Sequence, residues 1–176
     1  MILSYAITDN LQVKNELAIN FKHIISYLNE DSILSLLNIF IKDNSEVVRM
    51  NIMDAIVNLI DSNIYLKLQD FLIKIIEQIA TDEIWRIRFS ILNTVDKFLI
   101  SKNTSSPLRI LIIEVFTRFI DDNENDIRNT VCLKLVEVVK VLGNSNDSLD
   151  LLLKNLKKLE KDSAGFVKGI CSILKY

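Results

Sequence analysis

Apolar residues fall along this chain at helical spacing, in segments that repeat. Four segments share one template. A β-branched residue precedes a base in Val48-Arg49, Ile87-Arg88, Ile127-Arg128 and Val167-Lys168, at base-to-base intervals of 39, 40 and 40 residues. Six residues before each base stands an aspartate: Asp43, Asp82, Asp122 and Asp162. Apolar side chains follow each base at offsets of three (Ile52, Ile91, Val131, Cys171), seven (Ile56, Val95, Leu135) and ten (Leu59, Phe98, Val138). These offsets keep one helix face pointing one way, so each set predicts a buried stripe. A weaker copy opens the chain with Val13-Lys14, then Leu17, Phe21 and Ile24. A period near forty residues marks stacked helical hairpins, each burying its apolar face against its neighbours.

Between the template helices lie further apolar-periodic segments, bounded by polar clusters such as Asn29 to Ser32, Asp61 to Asn63, Ser101 to Ser106 and Gly143 to Ser148. Such clusters are turn and capping chemistry. The pattern predicts nine helices, roughly 9–28, 31–42, 44–60, 64–80, 83–100, 107–120, 124–142, 147–160 and 163–175. Ser106 before Pro107 reads as an N-cap followed by the proline favoured at a helix start. Asp43, Asp82 and Asp162 stand where second helices begin, and Gly143 is placed to close the helix before it. One proline, three glycines and no Asn-Gly or Asp-Gly turn leave no competing strand signal. The expected fold is all-α, an α-solenoid of antiparallel helix pairs with about four and a half repeats. One array is expected to run from 1 to 176, with repeats near 1–30 (partial), 31–62, 63–103, 104–144 and 145–176.

Composition narrows the partners. A net charge of −2 and a pI near 5.5 disfavour a nucleic-acid partner, which calls for a basic face. The longest apolar stretch, Ile110 to Ile120, is short and interrupted by Glu114 and Arg118, so no membrane span is expected. The first residues lack the basic region and apolar run of a signal peptide. Cys132 and Cys171 both fall inside predicted helices, and an unpaired, reduced thiol in a soluble protein of the cytoplasm or nucleus is the expectation.

Catalytic chemistry is hard to assemble from these residues. His23 is the only histidine and sits beside the apolar stripe of the first helix, where a structural or half-exposed role is the natural reading. There is no glycine-rich phosphate loop, and the two cysteines lack a zinc spacing. The acids Asp121, Asp122, Glu124 and Asp126 fall in a turn and read as solvated capping groups rather than as a general acid and base. No catalytic residue, metal, cofactor or small-molecule substrate is expected. The recurring acid and base read as architecture: stacking brings the base of one repeat near the aspartate of the next. This structural ladder comprises Asp43, Arg49, Arg88, Asp122, Arg128, Asp162 and Lys168, and an exposed pair of this kind is worth a few tenths to about one kcal/mol. Trp85 differs. It is the only tryptophan, and its template position is otherwise Glu46, Asn125 or Gly165. Two readings stand: a binding residue on the edge of the array, where tryptophan is enriched in energetic hot spots, or local filler against Arg86, Arg88 or the adjacent repeat.

The segment Ala80-Thr-Asp-Glu-Ile-Trp-Arg-Ile-Arg-Phe89 resembles HEAT repeats of the scaffold (A) subunit of protein phosphatase 2A, and Lys42 to Arg49 and Asp121 to Arg128 look similar. The resemblance covers nearly the whole chain. It implies a non-catalytic scaffold whose intra-repeat turns bind phosphatase regulatory and catalytic subunits, with the order of flanking repeats favouring the regulatory zone. By match to the motif, Trp85 and Arg86 are then contact residues, with Asp82 and Glu83 beside them. Asn44 and Glu46, and Asn123, Glu124 and Asn125, occupy the same ridge in neighbouring repeats. The alternative is a HEAT-like array of the tubulin-binding TOG type or another interaction adaptor. TOG arrays usually carry their tryptophan in the opening repeat, and the acidic turn around Glu124 would repel acidic tubulin.

Overall fold

Each helix of the computed structural model begins where the sequence supplies a turn and buries the face that its apolar spacing defines. The structure describes residues 2–142 and 157–165. Its helices are α1 (Ile2–Ala6), α2 (Leu11–Ile24), α3 (Glu30–Phe40), α4 (Glu46–Ile60), α5 (Tyr65–Ala80), α6 (Trp85–Leu92), α7 (Val95–Ile100), α8 (Ser106–Arg118) and α9 (Asn125–Leu142). Single 3₁₀ turns, Ile25–Tyr27 and Phe119–Asp121, follow α2 and α8. The described residues contain no strand. The expected Gly143 cap, Lys168, Cys171 and most of the two final helices lie outside the described residues.

The chain divides into two compact units, Met1–Thr94 and Val95–Tyr176. In the first, the second helices of successive hairpins lie side by side, α2 against α4 and α4 against α6, while α3 and α5 pack on α4. The template stripe of α4 is the centre: Val48, Ile52, Ile56 and Leu59 are all 0–1% exposed. Phe21 of α2 meets Phe40 of α3 edge to face at 5.4 Å. In the second unit α7 packs on α8 and α9, and Val131, Leu135 and Val138 form the corresponding buried stripe of α9.

Several expectations need correction. A five-residue helix, α1, precedes the first template helix. In α2 the buried residues are Ala18 and Phe21, with Ile25 just beyond, whereas Leu17 and Ile24 are only half-buried. His23 is exposed. Ser105, not Ser106, is the N-cap of α8, which puts Pro107 at the second helical position, where its missing N–H is still harmless. The predicted helix 83–100 is broken at Asn93 and Thr94. Finally, Cys132 is not a free thiol. It is fully buried in α9 and disulfide-bonded. No helix among the described residues is long and apolar enough to cross a membrane.

Candidate protein-binding rim

The turns inside the helical pairs are built by one repeated device. The Asp43 carboxylate accepts the Ser45 N–H at 2.8 Å, Asp82 accepts that of Ile84 at 3.0 Å, Asp122 that of Glu124 at 2.9 Å, and Asp162 that of Ala164 at 2.8 Å. These are aspartate turns that satisfy backbone donors two residues on. The N-caps themselves are Ser45 for α4 and Ile84 for α6, neither with a side-chain cap bond. The aspartates thus shape the turn ahead of the helix instead of capping it.

The base of the template closes the same turn from the other side. Arg49 Nη1 donates to the Asp43 carbonyl at 2.5 Å, Arg88 Nη1 to that of Asp82 at 2.7 Å, and Arg128 Nη1 to that of Asp122 at 2.7 Å. The remaining guanidinium donors reach forward. Arg49 Nε and Nη2 donate to the two Asp82 carboxylate oxygens at 3.0 and 3.4 Å, and Arg128 does the same to Asp162 at 2.5 and 2.9 Å. Lys14 Nζ donates to Asp43 at 2.7 Å, which adds a rung signalled in the sequence by the early Val13-Lys14 copy. Side chains of the Arg49–Asp82 pair are each 12% exposed, and those of Arg128–Asp162 are 11% and 7% exposed. Ladder pairs are therefore largely out of water, and losing one partner leaves a desolvated charge. The paired guanidinium of Arg128 holds the Asp162 carboxyl below its ordinary value, and the same hydrogen bond raises Arg128. Burial opposes both shifts, and the Ala164 N–H helps lower Asp162.

Around this frame the structure places the proposed contact residues. Trp85 is the first residue of α6 and is half-buried. Its ring meets Phe89 edge to face at 5.9 Å, and the Arg86 guanidinium carbon lies 5.0 Å from the ring centroid. Arg86 also reaches Glu46 of α4, with 4.0 Å between Nη1 and Oε2. Trp85, Arg86 and Glu46 thus form one cluster across adjacent helix starts, a link that only the stacking of α4 on α6 creates. Asp82 is different: its carboxylate is taken up by Arg49 and the Ile84 N–H. Asn44, Glu83, Asn123, Glu124 and Asn125 are exposed on the same turns. Asn125 accepts from Arg128 Nη2 at 2.5 Å.

Two grooves lie between consecutive turns, one in each unit. The first, about 440 Å³, is lined by Lys42, Asn44, Arg49, Gln78, Thr81 and Glu83 among others. The second, about 380 Å³, is lined by Asp121, Asn123, Asn125, Arg128, Lys158 and Ser163 among others. Both walls are mainly polar, unlike the apolar pockets that hold small organic ligands. Among the described residues no group of three or more His, Cys, Asp or Glu side chains is arranged to hold a metal ion.

No family model and no curated protein matches the sequence. Solved structures do resemble the fold. One is a computationally designed armadillo repeat protein for modular peptide recognition, with 14% identity and a TM-score of 0.58 over 97% of this chain and 78% of that one. Another is a designed armadillo repeat protein in complex with the peptide (KR)4, with 14% identity and a TM-score of 0.59 over 97% of this chain and 77% of that one. A third design, YIII(Dq)4CqI, has 14% identity and a TM-score of 0.56 over 97% and 78%. The chain has the all-α, helical-repeat solenoid fold; likeness at this identity carries no partner.

Proposed function

We propose that this chain is a non-catalytic scaffold that grips protein partners along the turns inside its helical pairs. The single observation behind this reading is the Trp85–Arg86–Glu46 cluster, an aromatic and a half-exposed guanidinium set side by side at a helix start. Aromatic and arginine side chains of this kind anchor protein interfaces. Phosphatase regulatory or catalytic subunits are the partners that the resemblance around Trp85 implies. Use of the fold for peptide recognition by designed armadillo proteins supports a binding role in general.

A second reading, an adaptor for basic segments, is favoured by the turn Asp121 to Asp126. It carries four acids in six residues, of which Asp121 is paired with Lys158 at 2.7 Å, while Arg128 is committed to Asp162. The same acidic turn weighs against acidic tubulin as a partner.

Both readings are tested by measuring affinity of the full chain for purified phosphatase regulatory and catalytic subunits and for a Lys/Arg peptide. On the phosphatase reading, Trp85→Ala weakens binding about 30-fold, the effect of a hot spot worth about 2 kcal/mol. Its melting temperature should fall little, because the ring is only half-buried. Unchanged affinity on Trp85→Ala discards the contact role. Binding of the peptide but of no phosphatase subunit moves the assignment to the second reading.

A further inference from the structure

Trp85 is not the only large apolar side chain at a helix start of the first unit. It lies three residues before its template base, a position held by Leu11 in α2 and Glu46 in α4. One residue further on stand Val47 in α4 and Arg86 in α6. Leu11 and Val47 therefore hold, between α2 and α4, the register that the Glu46–Arg86 pair holds between α4 and α6. Because α2, α4 and α6 lie side by side, their first turns form one strip: Leu11, then Val47 and Glu46, then Arg86 and Trp85. Water reaches its apolar members. Leu11 is 52% and Val47 37% exposed, and Ile7, in the turn before α2, is 68% exposed. A single exposed apolar residue needs no account, but several gathered in one place mark an interaction surface.

We infer, building on the proposed role of Trp85 in gripping protein partners, that this strip takes an amphipathic α-helix of the partner, laid across the starts of α2, α4 and α6. Spacing decides the partner's form. Packed helices stand about 8–10 Å apart, so the strip offers one apolar anchor per step of that size. On a helix, residues seven apart return to one face after about 10.5 Å. On an extended strand, residues facing one way recur at about 6.6 or 13 Å. A helix with an apolar residue at every seventh position matches Leu11, Val47 and Trp85 in turn, and a strand falls out of step. Charge decides the ends. Asp9 and Glu83 stand two residues before Leu11 and Trp85, at the two ends of the strip. Both are exposed, and neither carboxylate enters an ion pair among the described residues. In the middle Glu46 and Arg86 offset each other, and Lys42 is exposed on the turn before α4. The ends, not the middle, attract bases, so the partner helix carries lysine or arginine at both ends.

The test titrates the full chain with a labelled peptide of about 22 residues, read by fluorescence anisotropy; it is built on alanine and glutamine, with leucine at every seventh position and lysine at both ends. A control peptide carries its leucines at alternate positions between prolines, which keep it extended. The helical peptide should bind at least about tenfold tighter than the control, and Leu11→Gln and Trp85→Ala should each weaken it at least about tenfold. Asp9→Asn/Glu83→Gln should weaken it too and flatten its salt dependence. Leu11→Gln should keep the wild-type melting temperature, because the side chain is half exposed and glutamine is a good helix former. No binding of the helical peptide at about 1 mM, or a control that binds as tightly, overturns the inference. So does a Leu11→Gln chain that binds like the wild type. In that case a loss with Trp85→Ala still leaves the rim contact of Trp85 standing, whereas indifference to both variants removes that contact as well. A dimer in analytical ultracentrifugation that Leu11→Gln dissociates overturns the partner helix in favour of a second copy of this chain.

Discussion

Replacing Asp82 by alanine removes one carboxylate that serves two turns at once. It accepts the Ile84 N–H at 3.0 Å and both forward donors of Arg49, at 3.0 and 3.4 Å. Arg49 keeps its bond to the Asp43 carbonyl, but its charge, on a side chain 12% exposed, loses its counter-ion. Breaking a buried pair costs about 3–5 kcal/mol. Residual exposure, the longer 3.4 Å contact and the surviving carbonyl bond reduce that to about 2–3 kcal/mol. The lost turn bond adds about 1 kcal/mol. Urea unfolding of Asp82→Ala should show a loss of about 3–4 kcal/mol. The matching fall in melting temperature is roughly 6–16 °C for a chain of this size. In a double-mutant cycle with Arg49→Met, the double variant should be less damaged than the sum of the singles, since no charge is then stranded. A loss below about 0.5 kcal/mol, or a coupling energy of zero, would refute the claim that the ladder is a buried structural element.

The core phasing is tested by Ile91→Asp and Val131→Asp, each placing an unpaired carboxylate at a site 0–1% exposed; both should abolish the cooperative thermal transition, and a wild-type melting curve for either would show the stripe to be misassigned. The Asp162 carboxyl is held below its ordinary value of 3.8, so the unfolded chain binds the extra proton in acid. Its stabilisation is complete above that value and is lost as pH falls through the lower folded value; urea midpoints from pH 6 to pH 2.5 should show this loss, and Asp162→Asn should be insensitive to it. Alkylation without reductant should leave Cys132 unmodified, as read by peptide mass spectrometry. Reduction should cost about 2–4 kcal/mol, the usual range for one disulfide, measured by urea unfolding with and without dithiothreitol.

Much of the candidate rim could be read from order along the chain. Asp and Arg six residues apart at intervals near forty residues locate the turns at Asp43, Asp82 and Asp122, because local geometry alone brings the guanidinium to the aspartate carbonyl of its own repeat. The forward bond from Arg49 to Asp82 also follows, once repeats are known to stack. Less legible was Arg86: nothing in its neighbourhood along the chain points to Glu46, forty residues earlier, and only adjacent helix starts make them partners.

Period, helical spacing and turn chemistry therefore determined the all-α repeat fold, its buried stripes and its aspartate turns, since each depends on interactions within a few residues or on one unit repeated. Tertiary structure decided what depends on burial and on neighbours. It took the ladder pairs out of water, joined Trp85 and Arg86 to Glu46, oxidised Cys132 and buried Ala18 in α2 where the template gives Leu17. It also broke a helix whose apolar pattern runs through unbroken. Hydroxyls at Ser90 and Thr94 are harmless in water, and only in a dry core must they take carbonyls from the helix that carries them.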